Sequence, residues 1–210
     1  MESYLNNYHK LSIFNVSRET YNILDIYRKL VIQKNKEINL ISRKTEDNFI
    51  ERHIIDCAQA IDFIDFNDIK CTDIGSGAGL PGIVLAILLK DKNIKTKMKL
   101  YEKSHNKAKF LSVISKKLKL DVEIFKKDIF EERNITSGSI IARAFKPLPT
   151  ILDLVEKNFK NYSNLIVFMG KNGKQFIEEA INKWEFEYKE KRSITNNDSF
   201  LVSIKNIKKK

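Results

Sequence analysis

Cys71-Thr72-Asp73-Ile74-Gly75-Ser76-Gly77-Ala78-Gly79-Leu80-Pro81-Gly82 begins as an extended run, breaks into glycines, and hands over at once to the apolar segment Ile83 to Leu89. That order reads as strand, tight turn, helix. Glycines at such a turn allow positive φ and let a ligand lie directly against the main chain. Pro81 suits the first helical turn, where a missing N–H costs nothing. The glycines alone also fit a plain turn in a βα unit, so the surrounding sequence must carry the function.

Downstream, apolar runs and helical periods alternate regularly. Strands are expected over Ile69 to Ile74, Lys97 to Glu102, Val122 to Phe125, Ser139 to Ala144 and Leu165 to Met169. Helices are expected over Leu80 to Lys90, after Ser104 (inner face Ala108, Leu111, Val113, Ile114, Leu118), over Leu148 to Phe159, and over Gly173 to Asn182. Trp184 to Tyr188 and Phe200 to Ile204 have no helix between them and read as an antiparallel edge hairpin. Repeated βα units require an α/β fold, a mostly parallel sheet with helices on both faces. Ligands then sit beyond the carboxyl ends of the strands, where strand order reverses.

Upstream, Met1 to Val16 has no clear period and reads as a loose arm. From Ser17, the residues Ile23, Ile26, Tyr27, Leu30 and Val31 recur at helical spacing. Thr45 is a plausible N-cap for a second helix that buries Ile50, Ile54, Cys57, Ala58 and Ile61. Residues 1–66 therefore form an N-terminal helical extension packed on a domain spanning 67–210.

A chain of 210 residues buries roughly 70% of its unfolded surface as one domain. No apolar run approaches the roughly 20 residues needed to cross a bilayer, and Met1 to Lys10 has no signal-peptide core. Cys57 and Cys71 form no Cys-x-x-Cys pair, so neither a disulfide framework nor a metal site is expected, and a cytoplasmic location is. Net charge is +11 and the pI about 9.5, which favours polyanions, RNA above all. The abundance of Lys, Asn and Ile also fits a coding bias, which makes the scarce arginines more informative: a forked planar donor is wanted where Arg persists.

Glu102 ends the second strand, where an acid can accept from both ribose hydroxyls of an adenosyl ligand. A surface acid would look the same. Gly77-x-Gly79-x-x-Gly82 matches dinucleotide spacing, but the turn already begins at Gly75. The terminal hairpin fits an adenosylmethionine enzyme better than a nicotinamide one, and both remain open on pattern alone. Cys57 and Cys71 fall on apolar positions and suit packing better than nucleophilic attack. After the fourth strand the chain reads Ala142-Arg143-Ala144-Phe145-Lys146-Pro147-Leu148-Pro149. A guanidinium there suits a guanine edge or a nearby carboxylate; it also suits a structural pairing with Asp73 or another acid. Arg52-His53 lies where the extension meets the strand ends. His105 is isolated.

Asn39-Leu40-Ile41-Ser42, Arg52-His53-Ile54-Ile55-Asp56, Asp73 through Gly82, and Ala142-Arg143-Ala144-Phe145 occur in one order and spacing. Together they resemble the bacterial small-subunit (16S) ribosomal RNA guanine-N7 methyltransferase family, also called glucose-inhibited division protein B. The likeness runs from about Leu30 to Gly173. It implies a Rossmann-like class I methyltransferase sheet, S-adenosyl-L-methionine as cofactor, and methylation of N7 of one guanosine in 16S RNA. It also implies cofactor contacts at Gly75, Leu80 and Arg143, with Asp128 and Ile129 beside the adenine. Family members usually carry a small residue then an acid at that last pair, so here a backbone contact at Ile129 is expected. Asp73, with the loop around Gly77, would hold the amino-acid end, and Glu102 the ribose.

Guanine N7 already offers a lone pair, so catalysis reduces to positioning and no general base is expected. Arg143, with Arg52 and His53, would do the positioning. Arg28, Lys29, Lys34, Lys36, Arg43, Lys44 and the tail Lys208 to Lys210 are candidate RNA contacts. The expected partner is 16S RNA or the small subunit, met by a monomer and with no membrane. Rival readings are a methyltransferase of another RNA or small molecule, and a non-catalytic RNA-binding assembly factor.

Overall fold

A computed structural model describes residues 10–210. A 3₁₀ turn over Ser12–Phe14 leads into helix α1, Arg18–Asn35, whose N-cap Ser17 accepts from the Thr20 N–H. The expected loose arm lies partly outside the described residues; within them, Leu11 and Phe14 are buried. The buried stripe of α1 is Thr20, Leu24, Tyr27, Val31 and Asn35. Ile26, expected on that stripe, is 42% exposed, because two residues from Leu24 is about 200° around a helix.

Thr45 caps no long helix. It sits in a 3₁₀ turn, Arg43–Thr45, and the next helical segment, 50–63, opens as a π-helix over Ile50–Ile55. That segment continues as an α turn, Asp56–Ala58, and a 3₁₀ stretch, Gln59–Phe63; we call it α2. Ile54, Cys57, Ala58 and Ile61 are buried as expected, and Ile50 is half-buried.

The remaining elements are β1 (Lys70–Ile74), α3 (Gly82–Asp91), β2 (Lys97–Tyr101), α4 (His105–Lys117) and β3 (Val122–Phe125). They continue as β4 (Ile135–Thr136), β5 (Ser139–Ala142), α5 (Leu148–Asn158), β6 (Phe159–Lys160) and β7 (Asn164–Met169). Last come α6 (Gly173–Ile181), β8 (Trp184–Arg192) and β9 (Phe200–Lys209). The main sheet has seven strands in the order β3-β2-β1-β5-β7-β9-β8. Its first five are parallel; β9 pairs antiparallel with both β7 and β8. This is a Rossmann-like class I sheet with an antiparallel edge. The short β4–β6 pair was not expected: Phe159 leaves its helix to make it. Val113, assigned to the inner face of α4, is 56% exposed, since it points opposite Leu111.

Two cores flank the sheet. On one face α3 and α4 pack together with α1 and α2 in a single cluster that includes Tyr27, Ile54, Leu85, Leu111 and Ile141. On the other, α5 and α6 pack over Ile74, Ile140, Val167, Val202 and Trp184. The chain crosses from one face to the other between β1 and β5. The carboxyl ends of those neighbours, Ile74 and Ala142, open the crevice where such sheets bind ligands.

Candidate functional site

Gly75, Gly77 and Gly79 have φ of 75°, 56° and 96°, a backbone that L side chains rarely adopt. Gly82 is needed for another reason: a Cβ there would meet Leu100 and would stand 2.6 Å from Asp73 Oδ2. The loop is braced at three points. Gly75 N and Ser76 N both donate to Tyr101 O at 3.0 Å. Gly77 N donates to Glu102 Oε2 at 2.9 Å, while Ser104 N donates to Oε1 at 2.7 Å. Gly82 N donates to Asp73 Oδ2 at 3.1 Å, closing the loop's two ends on one carboxylate.

Asp73 is 1% exposed, and its Oδ1 is buried with no hydrogen-bond partner. Burial pushes this carboxyl up to about 7, against the hydrogen bond from Gly82 N, while the Ser76 hydroxyl donates to the Asp73 main-chain O at 3.2 Å. From α1, the fully buried Tyr27 donates its hydroxyl to Ala78 O at 3.0 Å, so the extension grips the glycine loop directly. Periodicity had marked Tyr27 only as an apolar-face residue. Leu80 is buried and belongs to the first core.

Asp128 caps a 3₁₀ turn, Ile129–Glu131, accepting from Phe130 N at 3.1 Å, and takes Lys103 Nζ at 3.4 Å. The Ile129 side chain is 3% exposed and sits in the second core, and its carbonyl accepts from Asn158 Nδ2 at 2.9 Å. Phe145 lies against Gly75, close enough that a methyl group there would collide with its ring, and it stacks on Phe130 at 5.9 Å.

Arg143 does not reach Asp73. Its Nε and Nη2 stand 3.1 and 3.0 Å from Asp56 Oδ2, and Nη2 also donates to Arg52 O at 2.9 Å. Nη2 approaches His53 Nδ1 at 3.5 Å; since a guanidinium cannot accept, that nitrogen carries the lone pair. His53 Nε2–H then donates to Thr45 Oγ1 at 2.8 Å, and Thr45 donates to Ser42 O at 2.7 Å. Burial, then the Arg143 and Arg52 cations, hold the imidazole down at about 4, so it is neutral at pH 7. Arg52 and Asp56 stand four residues apart and so share one side of this helical segment, with His53 beside them.

These residues line a cavity of about 400 Å³ together with Thr195, Asn196 and Ser199 from the β8–β9 turn. Sequence reasoning missed that turn entirely. His105 is exposed, 3.1 Å from Lys126 Nζ and away from this cavity's lining. Cys57 and Cys71 are buried; burial pushes the Cys71 thiol up to about 12 and raises that of Cys57 as well, so neither is a thiolate nucleophile.

The cavity and the braced loop thus both lie at the carboxyl ends of the neighbouring strands β1 and β5. Comparison with known proteins matches residues 20–201 to the model of GidB, rRNA small subunit methyltransferase G. The chain belongs to this family. The match extends beyond the segment from Leu30 to Gly173 that carried the resemblance, and takes in the terminal hairpin as far as Leu201. Ribosomal RNA small subunit methyltransferase G of Pelagibacter ubique (strain HTCC1062) is 50% identical over 212 residues, covering 100% of both chains. The protein of the same name from Rickettsia rickettsii (strain Sheila Smith) is 38% identical, over 92% of this chain and 98% of that one. Among solved structures, a SAM dependent methyltransferase from Aquifex aeolicus aligns with a TM-score of 0.55 at 15% identity, over 75% of this chain and 92% of that one, which shows a shared fold.

Among the described residues, no helix is long and apolar enough to cross a membrane. The basic residues divide into two groups. Arg28 and Lys29 are paired with Asp25, and Lys34 with Glu37. Among the described residues, no acid stands within ion-pair distance of Lys36, Arg43, Lys44 or Arg52. The tail is not merely solvated: Lys209 ends β9, pairs with Asp153 at 3.1 Å and lies 5.3 Å from the Trp184 ring. It stands nine steps along the strand from Phe200 at the cavity, about 30 Å at 3.4 Å per residue.

Proposed function

We propose that this chain transfers the methyl group of S-adenosyl-L-methionine to N7 of one guanosine in the 16S RNA of the small ribosomal subunit. The observation that carries the reading is the braced glycine loop set against the Arg143 cavity, in a chain half identical over its full length to a small-subunit RNA methyltransferase.

The residues fit the cofactor. Gly75, Gly77 and Gly79 give the loop the positive φ that its tight turn needs, a Cβ on Gly77 would make only an ordinary contact with Gly75 O at 3.9 Å, and Leu80 is buried. Glu102, fixed by backbone N–H groups on both oxygens, would accept from the ribose hydroxyls through its remaining lone pairs. Asp73 Oδ1, a buried acceptor with no partner, suits the ammonium of the amino-acid end. Asp128 and the backbone at Ile129 would read the adenine edge; the Ile129 side chain is packed in the second core, which leaves the backbone for that contact. When bound, the sulfonium supplies an activated methyl carbon.

No proton need be removed from guanine N7, and the neutral, hydrogen-bonded His53 is not poised to remove one. The work of Arg143, Arg52 and His53 is to orient the acceptor and exclude water. Arg43, Lys44 and Arg52, unpaired near the cavity, would take RNA phosphates; the tail would touch only RNA running the length of the hairpin. Residues 1–66 would be the extension, which through Tyr27 grips the loop and through Thr45, Arg52, His53 and Asp56 walls the cavity, and 67–210 the methyltransferase domain. One chain supplies every residue named, so a monomer suffices.

The test is transfer of a labelled methyl group to small subunits lacking the mark. Label in 16S RNA is expected. Label in another RNA, or cofactor binding without transfer, would replace this reading by a different substrate or by a non-catalytic assembly role.

A further inference from the structure

Asp56 joins three distant parts of the chain. One carboxylate oxygen, Oδ2, takes Arg143 from the end of β5. The other, Oδ1, accepts from Thr195 Oγ1 at 3.1 Å and from Gln59 Nε2 at 3.4 Å. Gln59 is 0% exposed, and its amide is used on both sides. Nε2 donates to Ser193 Oγ at 3.2 Å, and Oε1 accepts from Ile194 N at 2.8 Å. The turn between β8 and β9 is therefore tied to α2 by two neighbouring side chains, one helical turn apart. That turn also supplies Thr195, Asn196 and Ser199 to the cavity. A turn held only by its own strands would move with the exposed edge hairpin; this one is fastened to the core through buried polar groups, which are costly to leave unpaired.

We propose that Asp56 and Gln59 are positioning residues: Asp56 sets the Arg143 guanidinium, and Gln59 holds the 193–199 turn, so that the last hairpin becomes the far wall of the acceptor cavity. The inference rests on the reading of that cavity as the acceptor side of a methyltransferase. It assigns acceptor recognition partly to the turn of the terminal hairpin, beyond the motifs that carry the family resemblance.

The experiment compares Asp56→Asn, Asp56→Glu and Gln59→Met in the full chain. Asp56→Asn should lower kcat for RNA methylation about 100-fold, the effect of misplacing a positioning group by about 1 Å, with cofactor Kd changed less than about threefold. Asp56→Glu keeps the charge and should recover part of the rate. Gln59→Met should speed hydrogen exchange at the Ile194 amide and raise KM for RNA about tenfold, with kcat nearly kept. Unchanged kcat in Asp56→Asn overturns the Arg143 half of the proposal. Faster Ile194 exchange with unchanged KM overturns the turn half. Should Asp56→Asn not fold, Asp56→Glu carries this half alone: it displaces the carboxylate that Arg143 meets by one methylene, and an unchanged kcat there is equally fatal. Absence of methyl transfer by the unaltered chain would count against the proposed function alone, because Ile194 exchange reads the fastening without any substrate.

Discussion

Asp73→Asn tests how the glycine loop is built. In the folded chain, burial raises the Asp73 carboxyl from 3.8 to about 7. A group whose folded pKa is raised contributes its full stability below the unfolded value and loses it as pH climbs through the folded one. For Asp73 that window runs from about pH 4 to about pH 7. At about 1.36 kcal/mol per pH unit, the ionisable side chain costs the fold about 4 kcal/mol by neutrality.

Asparagine cannot ionise, and its carbonyl can still accept from Gly82 N. Its amide then stands where Oδ1 has no partner, which returns about 1–3 kcal/mol of the gain. The net expectation at pH 7.5 is a variant more stable by about 1–3 kcal/mol, or about 2 to 12 °C in Tm for a chain of this length. The advantage should shrink steadily toward pH 4.5. The assay is thermal unfolding of both proteins across that range, with cofactor calorimetry beside it. Affinity for S-adenosylmethionine should fall in the variant, the exchange of function for stability seen at binding sites. A variant equally displaced at every pH, or less stable at pH 7.5, would refute the argument that Asp73 is held at a cost for the sake of the ligand.

Gly75→Ala places a methyl group against the Phe145 ring at a φ of 75°, and calorimetry should find cofactor binding lost while the fold survives. Tyr27→Phe removes the hydroxyl from Ala78 O; denaturant unfolding should show about 1 kcal/mol of lost stability, and cofactor affinity should weaken with it. Arg143→Ala should nearly keep cofactor affinity while cutting methylation at least 100-fold, about the effect of misplacing a positioning group; unchanged turnover would remove Arg143 from the site. At saturating cofactor the rate should be flat from pH 6 to 8, since His53 titrates near 4, whereas kcat/KM for the cofactor should fall below about pH 7 as Asp73 takes a proton. RNA affinity should drop steeply with salt, as release of counterions from phosphate requires; a flat response would leave Arg43, Lys44 and Arg52 without a role.

The order of elements was legible because each βα unit writes its own local pattern: the run into Ile74, the glycines, then Ile83 to Leu89. Boundaries moved by a few residues where backbone chemistry intervened, as at Phe159, which leaves α5 to pair with Ile135. Ile26 and Val113 were misassigned because an apolar side chain at nearly the right spacing was counted onto a face it does not share. Arg52, His53 and Asp56 share one side of the second helix by spacing alone, but no local pattern says what that side faces. Glu102 and Arg143 stood out as candidates because they follow strand ends that topology gathers. Their partners were not. Arg143 lies 87 residues from Asp56, and Gln59 lies 135 from Ile194, separations at which no local periodicity speaks.

The central claim meets its most direct test in the nucleosides of small-subunit RNA after incubation with this chain and S-adenosylmethionine. Digestion and mass analysis should find one 7-methylguanosine per 16S molecule, at a single position, where untreated RNA has none. Methyl groups on other atoms, on several guanosines, or on none would contradict it.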